Sequence, residues 1–142
     1  MKSARTLITI CLLFAAATLF AQSERQWLMK VHVPYDFSVA DQAFPAGVYN
    51  IYTVTAARIV RITSVDGKHT AIVSTLLNYN GASAPNARLV FKQFGSEYFL
   101  AEIWSGGEDL SSNPPLGKKA MEIASSGGKP ETLTVIALAD RR

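Results

Sequence analysis

The sequence predicts an all-β domain, either an antiparallel β-sandwich or a partly closed barrel of about seven or eight strands. Short runs in which apolar and polar residues alternate recur along the chain, as expected for strands with one buried face. Compact Asp-Gly and Gly-Ser turns separate several of these runs and are too short for the crossover that parallel strands need. No long stretch shows the period of an amphipathic helix.

The first predicted strand extends from Val31 to Val39, where apolar residues alternate with polar residues or proline. Pro34 cannot donate a ladder hydrogen bond, so we expect this strand to lie at an edge or to bend there. A turn over residues 41–47 then leads into a second strand, residues 48–55.

The later strands are predicted on either side of compact turns. Asp66-Gly67 is typical of a hairpin turn, as is Gly95-Ser96 further along the chain. The predicted strands are residues 58–64, 69–77, 88–94, 97–104 and 132–138, and the predicted loops are residues 78–86 and 105–115. Residues 118–124 fit a strand or one short helix, because Met121 and Ile123 alternate whereas Ala120 and Ala124 lie one helical turn apart.

The N-terminus, MKSARTLITICLLFAAATLFAQ, has the features of an export signal. Basic residues precede an apolar run from Leu7 to Phe20, which is shorter than the roughly 20 residues that a membrane-spanning helix needs. We expect cleavage between Ala21 and Gln22, although Leu19 stands where a small residue is preferred. Residues 1–21 are thus predicted to be a signal peptide. Residues 22–142 form a single exported domain with no membrane span after cleavage, located in the periplasm, the cell envelope or outside the cell.

Charge and cysteine content exclude several classes of function. The chain has 14 basic and 11 acidic side chains, and removing Lys2 and Arg5 with the signal leaves 12 and 11, a net charge of +1. A nearly neutral domain has no electrostatic reason to bind nucleic acid or an acidic surface. The single cysteine, Cys11, lies within the predicted signal. The processed chain therefore contains no disulfide, thiol nucleophile or cysteine-based zinc site.

No pattern of residues predicts a catalytic or metal site, and we expect no cofactor. His32 and Asp36 share one face of the predicted strand but lie roughly 13 Å apart along it, too far to pair directly. His69 fits an exposed position in a hairpin. The sequence does not exclude that the fold brings His32 and His69 together. Glu108-Asp109 lacks the alternating ligands of a calcium loop. The sequence also has no Gly-x-Ser-x-Gly elbow and no Gly-rich phosphate loop.

The aromatic and apolar content of residues 97–104 suggests a binding surface. Alternation places Phe99, Ala101 and Ile103 on the core face, together with Leu89 and Phe91 of the preceding strand. The opposite face then carries the candidate binding residues Tyr98, Leu100 and Trp104. That second face either packs inside a two-sided layer or forms a groove for an apolar ligand, a glycan or a partner.

Two segments carry a resemblance to known proteins. VPYDFSVADQAFPAGVYNI (residues 33–51) and LVFKQFGSEYFLAEIW (residues 89–104) resemble the hallmark blocks of a group of small exported bacterial proteins of unassigned function. In that group a Val-Pro-aromatic-Asp-Phe strand leads through a Pro-Ala-Gly-x-Tyr turn. The resemblance implies export and an all-β fold, and it transfers no catalytic or binding residue.

Three functional hypotheses follow. The leading one is a non-catalytic β domain of the periplasm or cell envelope with a structural or protein-interaction role, whose partner is an unknown envelope protein or ligand. The second is a small-molecule or glycan binder that uses a barrel mouth or an aromatic sheet face. The third is a secreted hydrolase, which no motif supports.

Overall fold

The computed structural model describes residues 26–54, 57–83 and 85–138, with side chains from residue 29 onward. This part of the chain forms eleven strands and one helix. The strands are β1 (Gln26–Val33), β2 (Phe37–Val39), β3 (Gln42–Phe44), β4 (Gly47–Val54), β5 (Ile59–Ser64), β6 (Thr70–Ser74), β7 (Leu76–Tyr79), β8 (Arg88–Phe94), β9 (Glu97–Trp104), β10 (Leu110–Asn113) and β11 (Glu131–Ile136). The helix, α1 (Gly117–Ser125), lies between β10 and β11.

The strands form two sheets rather than a closed barrel, which confirms the all-β class and selects the sandwich from the two predicted architectures. The described residues contain eleven strands rather than seven or eight, because two predicted strands are each divided and two short strands lie in predicted turns or loops. Sheet A has the order β1-β4-β5-β6, and sheet B has the order β11-β8-β9-β10-β7. The β2–β3 hairpin joins sheet B through one parallel bridge between Ser38 and Phe99. The other strand pairings in the described residues are antiparallel.

The main core lies between the two sheets. In β4 the inward residues Tyr49, Ile51 and Thr53 are buried, and the residues between them are half-buried, as the alternation predicts. Each large apolar side chain buried in this way contributes about 1.5–3 kcal/mol to folding. The buried members of this core are Met29, Val31, Val33, Phe37, Val39, Phe44, Tyr49, Ile51, Val60, Ile62, Ala71, Leu89, Phe91, Leu100 and Ile103.

The predicted strand over residues 31–39 is divided between the two sheets. β1 ends at Val33 at the edge of sheet A, and β2 begins at Phe37 beside β9 of sheet B. Pro34 lies at the break, because it lacks the N–H that a continued ladder would use. The predicted bend is confirmed, whereas a single continuous strand is wrong. The predicted turn over 41–47 also contains a short strand, β3.

A second predicted strand, residues 69–77, also passes from one sheet to the other. Thr75 is the joint: its N–H donates to the Arg58 carbonyl beside β5 at 2.8 Å, and β7 then pairs with β10. The predicted loop over residues 105–115 therefore contains a strand that the sequence did not reveal. Its buried residues are Ser111 and Ser112, so β10 has no apolar alternation that could have predicted it.

The ambiguous stretch near residues 118–124 is a helix. Ala120 of α1 is fully buried against Phe94 and Phe99 of sheet B, and Leu116 and Ile123 pack at the margin of this cluster. α1 therefore covers the face of sheet B that points away from the main core. Within the described residues no helix is long and apolar enough to cross a membrane. The predicted signal, Cys11 and the Ala21–Gln22 cleavage site lie outside the described residues.

Candidate functional site

A β-bulge in the β8–β9 hairpin decides where the candidate binding residues point. Val90 pairs with Glu102, whereas the next residue of β8, Phe91, pairs with Leu100. Ala101 is thus the extra residue of β9, and an extra residue reverses which sheet face the following side chains occupy. The simple alternation assumed from the sequence holds on only one side of this bulge.

As a result, Tyr98, Leu100 and Trp104 do not share a face. Leu100 is 1% exposed within the main core, and half-buried Tyr98 packs at the margin of that core. Trp104 packs instead with Val90 in a separate cluster. Phe99, predicted to face the main core, lies on the opposite side of the sheet beneath α1, and that prediction is wrong because of the bulge.

Trp104 is engaged by its neighbours. Its side chain is 2% exposed, and its Nε1–H donates to Glu102 Oε2 at 2.8 Å. The Arg88 guanidinium lies 4.9 Å from the ring centroid, within the range of a cation–π contact. The indole N–H and one face of the Trp104 ring are therefore already bound by residues of the chain itself. Leu100 is buried in the main core, so neither side chain is available to a ligand.

Tyr98 is the one candidate that lines an open groove. The groove has a volume of about 470 Å³ and lies between the β2–β3 hairpin and the turn of the β8–β9 hairpin. We call it the hairpin groove. It is lined by Asp36, Phe37, Ser38, Ala43, Phe44, Pro45, Ser96, Glu97 and Tyr98.

Aromatic stacking fixes the ring of Tyr98. It lies parallel to the ring of Tyr35, with centroids 3.9 Å apart and an interplanar angle of 15°. Tyr35 in turn meets the edge of Phe91 at 5.3 Å. Burial raises the pKa of the Tyr35 phenol, and Tyr98 adds to that rise. The Tyr35 hydroxyl is buried and has no hydrogen-bond partner in the described part of the chain.

The carboxylates of the hairpin groove are held by other parts of the chain. Asp36 Oδ1 accepts a hydrogen bond from the Ala46 N–H at 2.8 Å. Glu97 Oε1 pairs with the ammonium group of Lys119 on α1. Each carboxylate therefore has one oxygen engaged within the chain and a second oxygen in no hydrogen bond with the described residues.

The structure does not assemble the histidines into a site. His32 is exposed on β1, whereas His69 lies just before β6, half-buried, with its ring centroid 6.5 Å from that of Phe44. β4 and β5 lie between β1, which carries His32, and β6, which begins directly after His69. In residues 26–54, 57–83 and 85–138, no group of three or more His, Cys, Asp or Glu residues could hold a metal ion.

Sequence reasoning missed exposed apolar side chains on the outer face of sheet A and just beyond it. Ile72 of β6 is 68% exposed, and Leu76, which begins β7 of sheet B beyond the joint at Thr75, is 73% exposed. Ile59 of β5, 38% exposed, lies opposite Ser74 and so diagonal to Ile72. We call Ile59, Ile72 and Leu76 the outer patch. Its signal in the sequence is that Ile59 and Ile72 occupy the polar phase of their strands.

Basic residues outnumber acidic ones in the segments that build sheet A. Arg61 lies opposite Ile72, and its guanidinium sits 4.4 Å from the ring centroid of Tyr52. The segments that build sheet A up to Ser74, residues 26–33, 47–54 and 57–74, carry the basic residues Lys30, Arg58, Arg61 and Lys68 and the acidic residue Asp66. The other described segments carry five basic and eight acidic residues. A domain that is neutral in sum thus has a basic sheet A.

Comparison with known proteins gives no relative for this chain: no protein-family model, curated protein or solved structure matches it.

Proposed function

We propose that the chain is an exported, non-catalytic β domain of the periplasm or cell envelope that docks on another protein through the outer patch. The signal-like N-terminus supports export. The observation that carries the docking role is the exposure of Ile59 and Ile72 on the outer face of sheet A and of Leu76 just beyond it, next to segments whose charged residues are mostly basic. Contiguous exposed apolar side chains within a polar rim are typical of interaction surfaces.

The outer patch has the composition of a small binding centre. Burying an exposed isoleucine or leucine against a partner stabilises a complex by about 1.5–3 kcal/mol per side chain. Arg61 is already held over Tyr52, so binding it costs little additional side-chain entropy. Arginine and tyrosine are also among the residues that contribute most at protein interfaces.

The surrounding charge selects the partner. Lys30, Arg58 and Arg61 attract a surface that is acidic around an apolar centre, and they repel a basic one. The complex should therefore form more slowly as salt rises, because salt screens exposed charges beyond about 10 Å at 0.1 M.

Site-directed photocrosslinking in the exporting cell tests this proposal. A benzoylphenylalanine replaces Leu76 in one version of the chain and Met121, which is 59% exposed on α1, in the control version. We expect one discrete adduct with an acidic envelope protein from position 76 and none from position 121. Adding Ile72→Asp or Arg61→Glu should reduce that adduct at least about ten-fold, since each removes more than roughly 1.4 kcal/mol of binding.

The two additional substitutions should leave the fold intact, because Ile72 and Arg61 are exposed. Circular dichroism and thermal unfolding of both variants verify this. Equal adducts from positions 76 and 121, or an adduct that survives both substitutions, would contradict docking through the outer patch.

A further inference from the structure

We propose that the hairpin groove is a binding site for a sugar residue, independent of docking through the outer patch. The first support is that two distant segments of the chain together line the groove. The nine lining residues of the described chain come from two segments that are distant in sequence, within residues 33–51 and 89–104. About 40 residues separate the two segments in the chain. The fold places residues 36–45 of the first and residues 96–98 of the second around the same opening.

The second support is an aromatic platform. A sugar ring presents C–H groups on its faces and hydroxyls around its rim, so it suits a flat apolar surface bordered by hydrogen-bonding groups. Tyr98 supplies such a surface, and its stacking on Tyr35 at 3.9 Å fixes the ring before any ligand arrives. A platform that is already ordered costs little entropy on binding.

The third support is the set of polar groups at the rim. The second oxygens of the Asp36 and Glu97 carboxylates can accept hydrogen bonds from ligand hydroxyls, and bonds to charged acceptors are stronger than neutral ones. The hydroxyls of Ser38 and Ser96 can donate or accept. Asp36 is held by the Ala46 N–H, and Glu97 is paired with the exposed Lys119, so each carboxylate keeps its second oxygen for a ligand.

Charge and shape narrow the class of ligand. Among the described residues no lysine or arginine lines the groove, so an anionic ligand would meet repulsion from Asp36 without a lining cation to offset it. Lys119 neutralises Glu97 from outside the groove, so a single net negative charge remains, which hydroxyl donors can satisfy without a cation. A volume of about 470 Å³ falls within the usual range of ligand sites. The groove is also open, so a sugar that belongs to a longer glycan can enter it.

Amide NMR titration of the exported chain tests the proposal. The probes are a β-linked glucose trisaccharide and an N-acetylglucosamine trisaccharide, with spermidine and inorganic phosphate as charged comparisons. We expect a trisaccharide to shift the amides of Asp36, Ser38 and residues 96–98 at millimolar concentration. Tyr98→Ala should weaken this binding roughly ten-fold, as expected for the loss of one aromatic contact, whereas Tyr98→Phe should retain it.

A second variant separates ligand contact from stability. Ser96 is exposed at the tip of the β8–β9 hairpin, so Ser96→Trp can fill the groove without entering the core, and it should abolish binding. Ser83→Trp, at an exposed loop position away from the groove, should leave binding unchanged. No shift with either trisaccharide, a response to spermidine or phosphate alone, or sugar shifts that persist in Ser96→Trp would each overturn the proposal. None of these outcomes affects the proposed docking role, which rests on other residues.

Discussion

Two tyrosines near the hairpin groove differ in what their hydroxyls bind. The Tyr49 hydroxyl donates to the Pro45 carbonyl at 2.5 Å, which ties β4 to the turn before it. The Tyr35 hydroxyl is buried without a partner among the described residues. A buried polar group that makes no hydrogen bond costs about 1–3 kcal/mol, whereas a satisfied one contributes about 1 kcal/mol. The same deletion of one oxygen should therefore act in opposite directions at the two sites.

We expect Tyr35→Phe to raise the free energy of unfolding by about 1 kcal/mol and Tyr49→Phe to lower it by a similar amount. Urea unfolding followed by tryptophan fluorescence measures both, and each variant is the control for the other. Destabilisation by Tyr35→Phe would mean that its hydroxyl has a partner after all, such as an ordered water.

The pH dependence of Tyr35 follows from the same burial. Burial raises its pKa in the folded state above the ordinary value of 10.0. The unfolded chain therefore loses this proton first, so stability is complete below about pH 10 and falls as pH rises toward the folded-state pKa. Tyr35→Phe should accordingly make alkaline unfolding less steep.

At the scale of elements, α1 is fixed to the β2–β3 hairpin by its first residues. Asp41 Oδ1 accepts the Lys118 N–H at 2.8 Å, and so replaces the capping side chain that Leu116 cannot supply. Gly117 packs directly on the backbone of Ala40 with φ +82°. An added Cβ there would collide with the Ala40 carbonyl. Gly117 thus permits both the backbone conformation and the close approach.

Gly117→Ala should destabilise the fold by about 3 kcal/mol or more, the sum of an unfavourable left-handed conformation and a steric clash. Gly127→Ala is the matched control, because Gly127 has φ +88° but no atom within 4 Å of an added Cβ. It should cost only about 1–2 kcal/mol. Thermal unfolding compares the two, and equal losses would show that the contact with Ala40 contributes nothing.

The strands differ in how well the sequence predicts them. The bounds of β8 and β9 match their predicted ranges, because the Gly95-Ser96 turn and two dense apolar runs define them. The bulge at Ala101 was hidden, because FLAEIW is largely apolar on both faces and permits more than one register. β10 was missed since buried serines carry no apolar signal. The predicted binding residues Tyr98, Leu100 and Trp104 therefore do not form one surface, and of the three it is Tyr98 that lines the hairpin groove.

At the scale of the molecule, the net charge is close to zero, but the charged residues are unevenly distributed between the two sheets. The sequence predicted a nearly neutral domain with no electrostatic preference, a statement about the sum alone. In the fold, four of the nine basic side chains of the described residues lie on sheet A or its turns, with one acidic side chain among them. Which residues share a face depends on strand pairing, so this asymmetry could not be read from composition.

For the whole chain, the predicted signal peptide determines where the processed protein would begin. If residues 1–21 are an export signal, the exported protein begins at Gln22, and its mass is lower by that of the 21 residues that precede the cut. The apolar run from Leu7 to Phe20 is too short to anchor the chain stably across a bilayer of about 30 Å. Mass spectrometry of the exported fraction measures the new terminus.

Leu19 provides the matched test of that cut, because it stands three positions before it, where signal peptidase prefers a small side chain. Leu19→Ala should speed processing in a pulse-chase experiment, while Leu19→Arg should block it, so that the uncleaved precursor accumulates. Leu13→Ile, in the middle of the apolar run, keeps the hydrophobicity and should change nothing. A full-length chain in the exported fraction, or identical processing of all three variants, would place the boundary of the working domain elsewhere. The near-neutral charge that follows from removing Lys2 and Arg5 would then no longer describe it.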